Sequence, residues 1–173
     1  MIELNVHSVL YSLLSRHRVV LLKEVQGERY LPIWIGMYES EAIAMRLQGA
    51  SVPRPLTHDL LANVISEMGG TVQYIVVNDL NDSTFFARIA IQMSRGPRAS
   101  GEVQLVDSRP SDAIALAVRA GVPVFVADTV MEVAASEPDP SPWLEGPRRE
   151  PRPEDMEPFR EFIDSLDLDD LGG

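Results

Sequence analysis

Two short stretches of this chain bring together residue types able to handle a phosphate: Arg54-Pro55-Leu56-Thr57-His58-Asp59-Leu60 and Asp107-Ser108-Arg109-Pro110-Ser111-Asp112-Ala113. Each sets an Arg-Pro pair, a hydroxyl and an acid where an apolar helical run begins. A helix N-terminus carries unpaired N–H groups and partial positive charge, which suits an anion. Hydrolysis of a phosphodiester needs a positioned water, a group to take its proton, and positive charge on the phosphate oxygens and leaving group. In that chemistry His58 is the acid/base candidate, because histidine changes charge near neutrality, with a reference pKa of about 6.5. Asp59 and Asp112 are the accompanying catalytic candidates, as ligands of water or metal. Arg54 and Arg109 would clamp phosphate, with Ser111 beside them. Each residue also has a structural reading. Ser111 and Asp112 cap a helix, the arginines pair with acids (Arg109 with Asp59 or Asp107), and His58 packs at a helix start.

Divalent metals often supply the positive charge in such reactions. The chain has no cysteine and three histidines, which excludes thiolate zinc, thiol catalysis and disulfides. Mg²⁺ or Mn²⁺ on carboxylates is then the natural choice, and the acids beside the motifs are Asp59, Asp107, Asp112 and Glu39. Nucleotide-binding loops of the G-x-x-x-x-G-K-[ST] or G-x-G-x-x-G type, H-E-x-x-H and G-x-S-x-G are all missing, which removes several common enzyme classes.

The elements that must position these residues follow from periodicity. Alternation of Ile2, Leu4 and Val6 with polar neighbours reads as a half-buried strand. Val19–Val25 and Tyr30–Ile35 read as two more, joined around Gly27. Glu39 to Leu47 has helical spacing. Thr57 reads as the N-cap of a second helix with Leu60, Leu61, Val64, Ile65 and Met68 as its buried stripe, stopped by Gly69-Gly70. Thr71–Asp79 and Thr84–Met93 make a hairpin with its tip at Asn81-Asp82-Ser83. A strand at Glu102–Val106 leads to a helix from Asp112 to Arg119 that is apolar except along Asp112, Ala115 and Arg119, and so belongs in the interior. Val122–Ala127 is a strand and Val130–Ala135 a short helix. Trp34 is expected in the core or at a subunit contact, since no other aromatic is patterned beside it. The fold class expected is α+β: a mostly antiparallel or mixed sheet with about three to four helices and a C-terminal tail helix.

At 173 residues with 45% hydrophobic content and mean hydropathy of −0.02, the chain suits one globular domain with an appendage. No apolar stretch approaches the ~20 residues that span a bilayer, and the start lacks the basic and apolar blocks of a signal peptide. A cytoplasmic protein without membrane association is the expectation. Net charge is −11, unevenly spread: residues 1–135 carry 11 basic and 14 acidic side chains, residues 136–173 carry 4 and 12. The core is near neutral, which argues against a protein that coats DNA and leaves room for one that holds nucleic acid briefly. The organisation expected is a domain over 1–135, a linker over 136–153 with six prolines, and an acidic tail over 154–173. In that tail Met156, Phe159, Phe162, Ile163 and Leu166 form one apolar helical face.

Leu31-Pro32-Ile33-Trp34-Ile35-Gly36 with Glu39, the Arg54–Leu60 stretch, Thr84-Phe85-Phe86-Ala87, and Ser108-Arg109-Pro110-Ser111-Asp112-Ala113-Ile114-Ala115-Leu116-Ala117, in that order, resemble the bifunctional nuclease domain family of bacteria and plants. The resemblance covers about residues 1–135. It implies a compact α+β domain, a homo-oligomer, and DNase and RNase activity of low specificity on nucleic acid held as a transient substrate. The alternative of a different class is a non-catalytic oligomeric binding or regulatory module, in which the motifs are caps and the acidic C-terminal helix engages a protein partner.

Overall fold

The computed structural model describes residues 1–11, 17–94 and 101–136; the linker and tail helix expected over 136–173 lie, but for Ser136, outside them. Seven strands and four helices are described: β1 (Ile2–Tyr11), β2 (Arg18–Glu24), β3 (Tyr30–Ile35), α1 (Met37–Leu47), α2 (Thr57–Glu67), β4 (Gly70–Asn81), β5 (Thr84–Met93), β6 (Val103–Ser108), α3 (Pro110–Ala120), β7 (Val124–Val126) and α4 (Asp128–Ala134). The strands form one sheet in the order β3-β2-β1-β7-β4-β5-β6. Every pairing is antiparallel except β4 with β7. This is the α+β architecture with a mixed sheet that the sequence indicates.

Hairpin geometry explains much of the order. Asn81 faces Thr84 across the β4–β5 turn, and the two residues between them, Asp82 and Ser83, have φ of 47° and 62°. Two positive-φ residues in a two-residue loop match the right-handed twist of the strands. A longer path brings β7 between β1 and β4, and α3 is the element that crosses to it.

Helix α3 is the centre of the molecule. Ala113, Ile114, Ala115, Leu116 and Ala117 are completely buried, and the helix packs on α1, α2, β3, β4 and β5. Its neighbours in the core include Leu22, Leu31, Ile33, Ile43, Ile75 and Val77. Pro110 at the first helical position presets φ and sacrifices no needed N–H, while Gly121 ends the helix with φ of 68°. The start falls at Pro110 with Arg109 as N-cap, earlier than the Asp112 start expected from the apolar pattern, so Ser111 lies inside the first turn and is not the cap.

Helix α2 departs from expectation in a more informative way. Its N-cap is Leu56, not Thr57, and the Asp59 carboxylate accepts the Leu56 backbone N–H at 2.9 Å. The expected stripe is largely outside: Leu60, Leu61, Val64 and Met68 are exposed, Met68 at 68%. The side turned inward is His58, Ala62 and Ile65, spaced i, i+4, i+7, with His58 buried and the other two packed on the core. Helical spacing defines two adjacent stripes here, and the less apolar one faces inward because it carries a histidine with a partner inside.

These placements make opposite predictions for two substitutions. Ala115→Leu overfills α3 and should cost about 1–3 kcal/mol in urea unfolding. Leu60→Gln on the outer side of α2 should stay within about 0.5 kcal/mol of the parent.

Candidate functional site

The two Arg-Pro helix starts meet. His58 in the first turn of α2 places Nε2 3.1 Å from Oδ1 of Asp112 in the first turn of α3, across 54 residues of sequence. Asp112 is held from its other side by the N-cap residue of its own helix, with Arg109 Nε donating to Oδ2 at 2.7 Å and Nη2 donating to Oδ1 at 3.1 Å. The same Nη2 donates to Glu39 Oε1 at 2.5 Å. Four side chains from three helix N-termini thus form a continuous chain, His58–Asp112–Arg109–Glu39.

Each position has a local cause. Glu39 lies in the first turn of α1, where an acid is favoured by the helix dipole. Its carboxylate folds back over the N-cap Gly36, into the space a β-carbon there would occupy. Glycine at 36 therefore lets Glu39 reach Arg109. Exposure grades along the chain: side chains of His58 and Glu39 are 10% and 15% exposed, Asp112 28%, and Arg109 67%. Arg109 is the outermost member, and among the described residues its Nη1 carries no hydrogen bond. Two N–H donors on Nη1 are free to meet an anion.

The electrostatics follow from these contacts. Burial pushes the Asp112 carboxyl upward, but hydrogen bonds from Arg109 and then His58 outweigh it and hold the group below its usual range. Asp112 and then Glu39 raise the Arg109 guanidinium above its ordinary value.

Asp59 belongs to a second cluster. Its Oδ1 accepts Arg119 Nε at 2.7 Å, and Arg119 also donates to the carbonyls of Ala115 at 2.8 Å and Ala42 at 3.1 Å. Burial raises the Asp59 carboxyl, but the Leu56 N–H and then Arg119 outweigh it and leave the group below its usual range. With Arg46 and Asn63, this pair borders a cavity of about 440 Å³ between the end of α1 and the start of α2. Arg119 is the residue that sequence reasoning did not assign. Its signal was position seven after Asp112, on the one polar line of an otherwise apolar helix.

The remaining candidates are dispersed. Asp107 is exposed on β6, opposite Arg88 of β5, and Arg54 is exposed in the loop before α2 with no ion pair among the described residues. Ser111 is buried and lines a cavity beside Arg109. Glu39 and Asp112 share one neighbourhood with a guanidinium between them, and Asp59 and Asp107 stand elsewhere. Among the described residues no three His, Asp or Glu side chains are grouped to hold a metal ion.

The bifunctional nuclease domain pattern matches residues 20–139. The chain belongs to the bifunctional nuclease domain family. It is 40% identical over 154 residues to the uncharacterized protein Rv1829 of Mycobacterium tuberculosis, covering 88% of this chain and 87% of that one. Bifunctional nuclease 1 of Oryza sativa subsp. indica and the bifunctional nuclease of Oryza minuta are each 26% identical over 110 residues. That match spans 64% of this chain and 32% of each rice protein. Among the described residues no helix is long and apolar enough to cross a membrane.

Acid should loosen this family member in a defined sense. Asp59 and Asp112 have lowered pKa values in the folded state, so their contribution is present above the ordinary carboxylate range and is lost as pH falls through the lowered values. The melting temperature should fall between about pH 5 and pH 2. The double variant Asp59→Asn/Asp112→Asn, compared with its own neutral-pH value, should fall less steeply. Its slope should not vanish, because Glu24 and Asp128 are lowered in the same direction by Arg29 and by the chain's amino group.

Proposed function

We propose that the protein is a low-specificity nuclease hydrolysing phosphodiester bonds in DNA, RNA or both, with the reaction centred on the His58–Asp112–Arg109–Glu39 chain. The observation that carries this reading is the meeting of the two motifs at one exposed arginine, in a member of a nuclease-named family. Arg109 binds a phosphate oxygen through its free Nη1 donors and offsets charge building up in the transition state. Asp112, ionised and next outward after Arg109, orients the attacking water. A carboxylate with a lowered pKa is a weak proton acceptor, which suits orienting water better than deprotonating it. His58 stands behind Asp112, so we assign it a positioning role in place of the acid/base role its residue type first suggests. Glu39 fixes the far end of the Arg109 fork.

The reaction is taken to depend on Mg²⁺ or Mn²⁺, whose charge would offset that of the phosphate. The donor set drawn from the sequence, Asp59, Asp107, Asp112 and Glu39, is not assembled, and a cation between Glu39 and Asp112 would have to take the place of the Arg109 guanidinium. The reading further takes the protein to be cytoplasmic and homo-oligomeric.

The test is cleavage of labelled single- and double-stranded DNA and RNA with Mg²⁺, Mn²⁺ or EDTA, using variants purified identically. Arg109→Ala should lower kcat/KM by about 100-fold or more, and Asp112→Asn should lose most activity while still folded. In His58→Gln a positioning role lowers the rate and leaves the shape of the pH profile, whereas an acid/base role removes the neutral-range inflection. Equal cutting by all proteins would point to a contaminant and return the alternative, a binding module acting through the acidic tail. Gly36→Ala should reduce activity with little loss of stability, because the added methyl meets the movable end of Glu39 and backbone φ at 36 is an ordinary −71°.

A further inference from the structure

The face of the sheet that holds the core also borders a cavity of about 290 Å³ beside Arg109. Ile33 and Ile35 of β3 and Phe85 of β5 give it an apolar wall, and Arg109 and Ser111 at the start of α3 give it polar groups. Between the two isoleucines Trp34 turns to the opposite face of β3, as strand alternation requires, and is 47% exposed; it is not the core residue expected. Ser111 is the group in this cavity that the fold does not explain. Of the three buried polar residues described, His58 meets Asp112 and Ser40 donates to the Met37 carbonyl at 2.7 Å. Ser111, 7% exposed, has no hydrogen-bond partner among the described residues. Its oxygen is not sealed in, since the one enclosed side-chain polar atom without a partner among the described residues is Asn78 Oδ1. Ser111 Oγ therefore opens into the cavity that its residue lines. Alanine, which fills positions 113, 115 and 117 of the same helix, is the better helix former, so folding alone gives no reason for a hydroxyl here.

We infer that this cavity is a sugar subsite in which Ser111 recognises the 2′-hydroxyl of a ribose, so that RNA is preferred over DNA. The inference deepens the nuclease reading and rests on it for the phosphate that Arg109 meets. In a nucleic-acid strand the group bonded to each phosphate is a sugar, so the space next to a phosphate-binding guanidinium is where a sugar falls. Ligand pockets begin near about 300 Å³, and a cavity of this size suits one sugar unit and no longer stretch of strand. The carbon face of the ring lies on Ile33, Ile35 and Phe85, an apolar wall with few polar groups to fix orientation. Within an internal ribose unit the 2′-hydroxyl is the one free hydroxyl, and it donates and accepts as a serine does. RNA therefore compensates Ser111 Oγ for its lost contact with solvent, whereas DNA covers the oxygen and leaves it unpaired. The contact reads the sugar and no base, so the preference is for a class of nucleic acid and not for a sequence.

The test uses the full chain, with EDTA present and strand integrity checked on a gel. Anisotropy titrations compare labelled oligo(rU), oligo(dU) and 2′-O-methyl oligo(U) of one length, which share a base and differ at the 2′ position. The ribose strand should bind about 10-fold more tightly than the deoxyribose strand. The 2′-O-methyl strand keeps the ribose pucker but has no proton to donate, and it should bind no better than the deoxyribose strand. Ser111→Ala should bring the ratio of ribose to deoxyribose affinity close to one while the melting temperature shows the fold retained. A ratio near one in the parent protein, equal binding of the ribose and 2′-O-methyl strands, or a ratio kept in Ser111→Ala overturns the subsite. So does the absence of measurable binding by any strand. None of these results touches the nuclease reading, which cleavage decides. A ratio that collapses in Ser111→Ala, in a protein that cleaves nothing, leaves the subsite standing and removes the nuclease.

Discussion

The constraint on which this structure depends is that α3 has no side left for water along Ala113–Ala117. A helix buried on every side must be surrounded, and the sheet with α1 and α2 provides the surround. Alternating small residues let those elements approach closely, since Ala113, Ala115 and Ala117 present only a methyl group each. Polar groups along such a helix are excluded except where they find partners. They therefore collect on the line of Asp112 and Arg119 and at the N-cap Arg109, where the helix end reaches the surface. The polar cluster lies at the end of the most rigidly enclosed element, and that gives it a fixed geometry.

The cluster carries its own electrostatic balance. Glu39 and Asp112 both draw on Arg109, so an arriving anion meets a guanidinium already engaged by two carboxylates. This arrangement weakens capture of free phosphate while fixing the orientation of the guanidinium. Binding strength for a longer ligand must then come from contacts away from the charge. The second cation–carboxylate pair, Arg119 with Asp59, differs in character. Arg119 is 6% exposed and is saturated by two backbone carbonyls as well as the acid. It ties α1, α2 and α3 together and contributes shape, not reach.

Much of this was legible in the residues. Apolar runs bounded by turn residues place β3 at its true ends and the β4–β5 hairpin nearly so, because both are local signals. The burial of α3 was readable from composition alone. His58, Asp112, Arg109 and Glu39 were each picked out, yet nothing local paired them: Arg109 was matched with Asp59 or Asp107, while its partners lie 3 and 70 residues away. Helix α2 misled for a related reason. Apolar residues are not obliged to be inside, and a stripe with a histidine outranked a stripe of leucines because of a partner on another helix.

The two helices that meet in the site are anchored very unequally. Asp112 is carried by the core itself, whereas His58 rides on a helix that rests on the interior through Ala62 and Ile65 and shows most of its other apolar side chains to water. Segments with few buried contacts open at free energies far below that of global unfolding. Helix α2 is accordingly more loosely held than α3, and the His58–Asp112 contact joins a lightly anchored helix to the core. The polar cluster is thus moored firmly on the side of α3 and lightly on the side of α2.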